Sequence, residues 1–170
     1  MKFNWFFITV GYSGLAPVAP GTAGSFVSLI LGVLILATFG PQTLFMAMML
    51  LGLWGIKAID KYEAETGSHD DKRIVIDELA GMWIALSIAP GIFTPFDQLL
   101  VWDNGMMIQI ILSFIFFRIY DIKKPSIIGR IDRETKGGIG VMGDDIVAGF
   151  AAGITTAIVW QGILKLLPLF

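Results

Sequence analysis

The chain has 170 residues, of which 55% are hydrophobic and 15% are charged, and its formal net charge is -2. Soluble domains carry about 25% charged residues, so this composition indicates an integral membrane protein. The small net charge gives no reason to expect a nucleic-acid partner. The absence of cysteine excludes disulfide bonds, thiolate metal sites and a cysteine nucleophile.

Five apolar runs follow one another along the chain, each bounded by glycine, proline or charged residues. They cover 25–39, 42–59, 79–92, 105–122 and 146–170. Continuous runs are typical of membrane helices, whereas strands of a membrane barrel alternate in hydropathy. We therefore predict a single all-α domain over 1–170, a multi-spanning transmembrane bundle of about four to five apolar helices.

The positive charges are distributed unevenly around these runs. If runs one and two form a hairpin, and runs three and four another, all of the 12 Lys and Arg residues except Lys165 lie on one side. Such residues favour the cytoplasmic side of a membrane. The connections 60–78 and 121–145 are therefore predicted to face the cytoplasm.

Small residues recur at helical spacing in two of the runs. Gly149 and Gly153 form a G-x-x-x-G pattern, and Gly24, Ser28 and Gly32 repeat it in the first run. Small residues let helix backbones approach closely in lipid. Both patterns predict helix-packing faces.

The first polar loop, "GYSGLAPVAPGTAGS", leads directly into the first apolar run. Gly21 and Gly24 leave the backbone accessible, and Thr22 and Ser25 supply hydroxyl groups. Free amides at a helix N-terminus bind anions such as phosphate. The alternative is an ordinary helix start in which Thr22 or Ser25 is the N-cap.

The second polar loop, "HDDKRIVIDELAGMW", places Asp77 and Glu78 at the start of the third run. Carboxylates in the first turn of a helix are favoured by its dipole, so capping is the alternative to a functional role. His69 is expected to be solvated, and Asp70 and Asp71 are expected to be surface charges.

The third polar loop, "FRIYDIKKPSIIGRIDRETKGGIGVMGDD", ends with Asp144 and Asp145 at the start of the last run. One aspartate is enough for an N-cap, and two adjacent carboxylates repel each other unless a cation binds. Oxygen ligands of this kind suit Mg²⁺. The basic residues of the loop have an alternative role in topology and in adhesion to anionic lipid.

All three loops lie on one predicted face, which brings acids, cations and an anion-binding helix start together. This combination indicates metal-assisted phosphoryl chemistry at the cytoplasmic membrane surface, and the apolar body indicates a lipid substrate.

The three loops also resemble the signature blocks of the bacterial phosphatidylglycerophosphatase A family. The matching segments are "GYSGLAPVAPGTAGS", "DDKRIVIDELAG" and "FRIYDIKKPSIIGRIDRETKGGIGVMGDDIVAG", in the order of the family. The resemblance implies an all-α, Mg²⁺-dependent phosphatase of the bacterial inner membrane with its active site facing the cytoplasm. It implies removal of the terminal phosphate from phosphatidylglycerophosphate, which gives phosphatidylglycerol.

The resemblance also implies roles for individual residues. It assigns metal binding to a set of acids: Asp77, Glu78, Asp121, Asp144 and Asp145. The four aspartates of this set are the expected catalytic residues that position or deprotonate water, or form a phosphoenzyme. Phosphate binding is assigned to basic, hydroxyl and glycine residues: Gly21, Thr22, Gly24, Ser25, Arg118, Lys124 and Lys136.

Two other classes of function compete with this interpretation. A metal-dependent lipid head-group transferase would also place acids at the cytoplasmic face, but the chain has no "DxxDGxxAR" sequence of the kind such transferases use. A transporter or membrane scaffold is the non-enzymatic alternative. Transporters place ionisable residues near the bilayer midplane, whereas these acids lie in loops at one interface.

Overall fold

The computed structural model describes residues 5–69, 71–89 and 105–166, and all regular structure in these ranges is helical. The helices are α1 (Trp5–Ile8), α2 (Pro20–Thr66), α3 (Ile76–Ile88), α4 (Met106–Lys123), α5 (Ile127–Glu134) and α6 (Gly137–Leu166), with a 3-10 turn at Ser13–Leu15. The prediction of an all-α fold is confirmed. Asp70 and the connection 90–104, which includes the second predicted hairpin turn, lie outside the described residues.

Helix α2 folds back on itself at Gly40. This residue has φ 84° and ψ 171°, a conformation that glycine adopts readily, and Pro41 follows as the first residue of the second arm. Gly24 in the first arm lies against Val75. Gly55 in the second arm lies against Met142 and against Ile76, the residue after Val75. In a straight helix residues 24 and 55 would be about 46 Å apart. The two arms, 20–39 and 41–66, therefore form the hairpin expected from the first two apolar runs.

Helix α3 is the centre of the bundle. Ten of its residues are buried, including Trp83 and Met82. The helix packs against α2, α4 and α6, and the indole N–H of Trp83 donates to the carbonyl oxygen of Ser28 at 2.8 Å. The burial on all sides explains why the segment reads as a short, continuously apolar run.

The predicted small-residue faces are helix-packing faces, as expected. A Cβ atom at Gly149 would overlap the backbone of Gly81 in α3, and one at Gly153 would lie 2.8 Å from Cβ of Ile88. On the opposite side of α3, a Cβ atom at Gly32 would lie 2.8 Å from Cδ1 of Leu86. Close contacts at these glycines on both sides fix the position of α3.

The described residues contain fewer candidate membrane-spanning helices than the four to five expected. Within the described ranges two helices, α2 and α6, are long and apolar enough to cross a membrane. Helix α3 has 13 residues, too few for a span that needs about 20. Helix α4 has 18 residues, but Arg118 and Asp121 lie within its last two turns. The difference arises because a buried core helix such as α3 is as apolar as a lipid-facing one.

Candidate functional site

A cavity of about 270 Å³ opens at the end of the bundle where α2, α3 and α6 begin and α4 ends. All three polar loops contribute to it. Its lining residues are Pro20, Gly21, His69, Lys72, Ile74, Asp77, Glu78, Asp121, Lys124, Asp132, Thr135, Gly140, Val141, Asp144 and Asp145. The structure thus gathers all five acids predicted as metal ligands around one space.

Three of these acids form the closest group. One carboxylate oxygen each from Glu78, Asp121 and Asp145 lie within 4.8 Å of one another. The first comes from the first turn of α3, the second from the last two turns of α4 and the third from the interior of α6. We call these three residues the acid trio. Their convergence from three helices depends on tertiary packing, and not on local sequence.

Arg118 lies against the acid trio. Its Nη1 donates to both carboxylate oxygens of Glu78, at 2.8 and 2.7 Å, and lies 2.7 Å from Oδ2 of Asp121. The same nitrogen donates to the hydroxyl of Ser25 at 2.9 Å, and Nη2 donates to Thr22 at 3.2 Å. The family resemblance assigns Arg118, Thr22 and Ser25 to phosphate binding. In the structure Arg118 contacts the other two residues and also two of the acids.

The acids at the start of α3 carry strongly shifted pKa values. Burial and the charge of Asp121 together raise the pKa of Glu78 to about 7, although Arg118 opposes the shift. Burial and the neighbouring Glu78 also raise the pKa of Asp77 well above its usual range. The negative charge of the cluster is thus only partly balanced by the protein itself, which favours binding of a cation.

Asp144 and Asp145 do not cap a helix. Helix α6 begins at Gly137, nine residues before the start of the apolar run, and Oδ1 of Asp60 accepts a hydrogen bond from the Gly138 amide at 2.6 Å. Both aspartates are buried in the interior of α6. The N-cap alternative is wrong for them, because helix-interior amides already bond within the helix.

Lys124 links α4, α5 and α6 beside the cavity. Its ammonium group donates to Asp132 and, at 2.6 Å, to Oδ2 of Asp144. Burial lowers the pKa of Lys124, but the hydrogen bonds to Asp132 and Asp144 outweigh it and raise the pKa above its usual range. The other oxygen of Asp144, Oδ1, is buried and has no hydrogen-bond partner among the described residues.

The first polar loop has close-packed glycines. A Cβ atom at Gly21 would overlap Oε1 of Glu78, and one at Gly24 would lie 2.6 Å from Cβ of Val75. Helix α2 begins at Pro20 after Ala19, which makes no side-chain cap. The alternative in which Thr22 or Ser25 is the N-cap is therefore wrong, since both lie inside the helix.

The chain is similar to known proteins over most of its length. A family model described as Phosphatidylglycerophosphatase A matches residues 6–160. The chain belongs to the phosphatidylglycerophosphatase A family. The match includes every residue that lines the cavity.

Relatives of this family are similar over most of their length. The chain is 37% identical over 157 residues to a phosphatidylglycerophosphatase A of Escherichia coli (strain K12), covering 91% of this chain and 83% of the relative. It is 36% identical over 148 residues to a phosphatidylglycerophosphatase A of Haemophilus influenzae, covering 86% and 83%. A putative phosphatidylinositol-3-phosphatase of Bacteroides thetaiotaomicron is 35% identical over 151 residues, covering 86% of each chain. No solved structure matches the chain.

Lys136, assigned to phosphate from the family resemblance, does not line the cavity. It lines a separate, more open recess of about 360 Å³ together with Glu63, Gly67, Ser68 and His69. His69 is largely exposed, as expected, with Nδ1 2.6 Å from Oε1 of Glu63.

Sequence reasoning assigned no role to Lys72, Asp132 or Thr135, which all line the cavity. It also treated Asp71 as a surface charge, but this carboxylate is largely buried against Arg73 and Tyr62. Their position in the sequence could have indicated a place near the site, because Asp71 and Lys72 lie just before the segment that leads into Asp77. Their side-chain directions depend on a turn that the sequence does not specify.

Proposed function

We propose that the protein is a Mg²⁺-dependent lipid phosphatase of the bacterial inner membrane, which hydrolyses phosphatidylglycerophosphate to phosphatidylglycerol and phosphate. The observation that carries this proposal is the acid trio, with Lys124 beside it, in a cavity at one end of an apolar bundle. Two family relatives with 37% and 36% identity bear the name of that activity.

The donor atoms at the cavity fit a hard divalent cation. The acid trio offers only carboxylate oxygens, the ligands that Mg²⁺ prefers, and the unpartnered Oδ1 of Asp144 adds a further buried acceptor. We assign the ion to Glu78, Asp121 and Asp145. When bound, Mg²⁺ supplies positive charge that stabilises the phosphoryl oxygens in the transition state.

The protein's own residues supply the remaining steps. Asp144, which lines the cavity together with Asp77, orients the attacking water and accepts its proton. The water oxygen bonds to phosphorus, the bond from phosphorus to the glycerol oxygen breaks, and that oxygen takes up a proton. Lys124 is held by Asp132 and Asp144, so its charge is preplaced next to the phosphate.

The apolar surface supports a membrane location. Helix α4 exposes a stripe of isoleucines at helical spacing: Ile111, Ile115, Ile119 and Ile122. Helices α2 and α6 are long enough to span the bilayer. We propose that the cavity faces the cytoplasm, because the connections beside it, 60–78 and 121–145, carry eight of the 12 Lys and Arg residues.

A phosphate-release assay tests the proposal. The purified protein in non-ionic detergent is given phosphatidylglycerophosphate, phosphatidic acid, phosphatidylinositol 3-phosphate or a soluble phosphomonoester, each with Mg²⁺ or with a chelator. We expect release from phosphatidylglycerophosphate to be fastest and to require Mg²⁺. Equal release with the chelator would disprove the metal requirement, and no release from any lipid would disprove the phosphatase.

A further inference from the structure

Lys72 differs from the other cations near the cavity because it forms no ion pair with any of the described residues. Arg118 is bound to Glu78 and Asp121, and Lys124 is bound between two aspartates. Lys72 lines the same cavity, and its side chain is exposed. It is therefore available for an anion that approaches from the opening.

The turn that carries Lys72 is fixed on both sides. Asp71 accepts hydrogen bonds from the backbone N–H of Arg73 at 3.0 Å and from its Nη2 at 2.6 Å. The Tyr62 hydroxyl also donates to Asp71, and the Arg73 guanidinium lies 4.9 Å from the centre of the Trp5 ring. Because its two neighbours are held in this way, the backbone of Lys72 keeps its place beside the cavity.

The buried end of the cavity has the opposite charge. Glu78, Asp144 and Asp145 are each less than 8% exposed, and a phosphate group reaches them only together with cations. The scissile phosphomonoester of the substrate therefore lies at the buried end. A substrate with a second anionic group keeps that group nearer to the opening, where Lys72 lies.

We propose that Lys72 binds the phosphodiester phosphate of the lipid and thereby determines selectivity for substrates with two phosphate groups. This inference depends on the lipid phosphatase function proposed above. An exposed ammonium group is suited to such a contact, because it neutralises a phosphate as a point charge without fixed geometry.

The experiment compares two lipid substrates in non-ionic detergent micelles with saturating Mg²⁺. Phosphatidylglycerophosphate has a phosphomonoester and a phosphodiester, whereas phosphatidic acid has the phosphomonoester only. For Lys72→Met we expect KM for phosphatidylglycerophosphate to rise about tenfold, the loss expected for one hydrogen bond to a charged group, with little change in kcat. KM for phosphatidic acid should change less than about twofold. Lys72→Arg should restore most of the affinity.

Lys61→Met is the matched control, because Lys61 pairs with Glu65 on the surface of α2 and does not line the cavity. We expect it to behave like the parent on both lipids. An unchanged KM for phosphatidylglycerophosphate in Lys72→Met, or an equal rise for both lipids, would overturn the proposal while leaving the phosphatase function intact. Failure of the parent protein to release phosphate from either lipid would instead disprove the phosphatase function.

Discussion

Replacing Asp145 by Asn tests the acid trio most directly. The change removes one negative charge and keeps nearly the same shape at a side chain that is 3% exposed. If Glu78, Asp121 and Asp145 hold a divalent cation, the variant should be more stable than the parent without metal and less stable with metal. A purely structural aspartate would show no such reversal.

The magnitude follows from the separation of the carboxylates. Two charges within 4.8 Å of each other repel by at least about 3.5 kcal/mol at an effective dielectric constant of about 20. Arg118 offsets part of this repulsion, so we expect the metal-free variant to gain about 1 to 3 kcal/mol in free energy of unfolding. Each kcal/mol raises the melting temperature of a protein of this size by about 2 to 4 °C.

Bound metal should reverse the order of stability. A ligand at a hundred times its Kd stabilises the folded state by about 2.7 kcal/mol. The parent should gain this stabilisation from Mg²⁺, and Asp145→Asn should lose most of it, because an amide oxygen lacks the charge that holds a hard cation. Phosphate release by the variant should fall by about a hundredfold or more.

Thermal unfolding in detergent, with Mg²⁺ or with a chelator, measures both effects. Glu134→Gln is the control, since Glu134 pairs with Arg130 on the exposed face of α5 and lies outside the cavity. It should respond to Mg²⁺ as the parent does. If Asp145→Asn also gains the full stabilisation from Mg²⁺, the acid trio is not the metal site.

Three further predictions follow. Gly21→Val should reduce phosphate release at least a hundredfold with folding retained, because its side chain would displace the Glu78 carboxylate; Gly162→Val, at an open position, should have little effect on phosphate release. Cysteines introduced at Asp132 and at Phe39 should be labelled from opposite membrane sides, Asp132 from the cytoplasm; labelling of both from one side would contradict the hairpin. Glu78 has a pKa of about 7 in the folded protein, so between about pH 5 and pH 7 it keeps a proton that the unfolded chain releases. The metal-free protein should therefore lose up to about 3 kcal/mol of stability as the pH rises through this range. Chemical denaturation at several pH values measures this loss, and Mg²⁺ should restore the lost stability.

Much of the architecture was predictable because it depends on local pattern. The hairpin of α2 follows from Gly40 and Pro41 between two apolar runs, and the packing of α6 on α3 follows from the spacing of Gly149 and Gly153. The distribution of positive charge placed the three polar loops on one side, and the structure brings them together at one cavity.

The start of α6 was not predictable from local pattern. Gly137, Gly138 and Gly140 have low helix propensity and suggest a loop. The helix begins there because Asp60 accepts the Gly138 amide and because the glycine fits against the backbone of Ile56. Both partners are about 80 residues away in the sequence, so tertiary contacts override propensity.

The partners of Arg118 were also beyond the sequence. A guanidinium group binds carboxylate and phosphate with the same bidentate geometry, so residue type alone does not distinguish the two. Helix packing decides, by placing Glu78 within 3 Å of the guanidinium.

The glycine contacts of α6 also restrict how its length can vary. Gly138 packs on α2 and Gly149 packs on α3, and Asp144 and Asp145 lie between these two contacts. One residue inserted between Gly140 and Asp144 would turn the aspartates by about 100° around the helix axis and move them about 1.5 Å along it. Asp145 would then leave Glu78 and Asp121. Insertions and deletions among active homologues are therefore expected outside this segment, for example in the connections before α5.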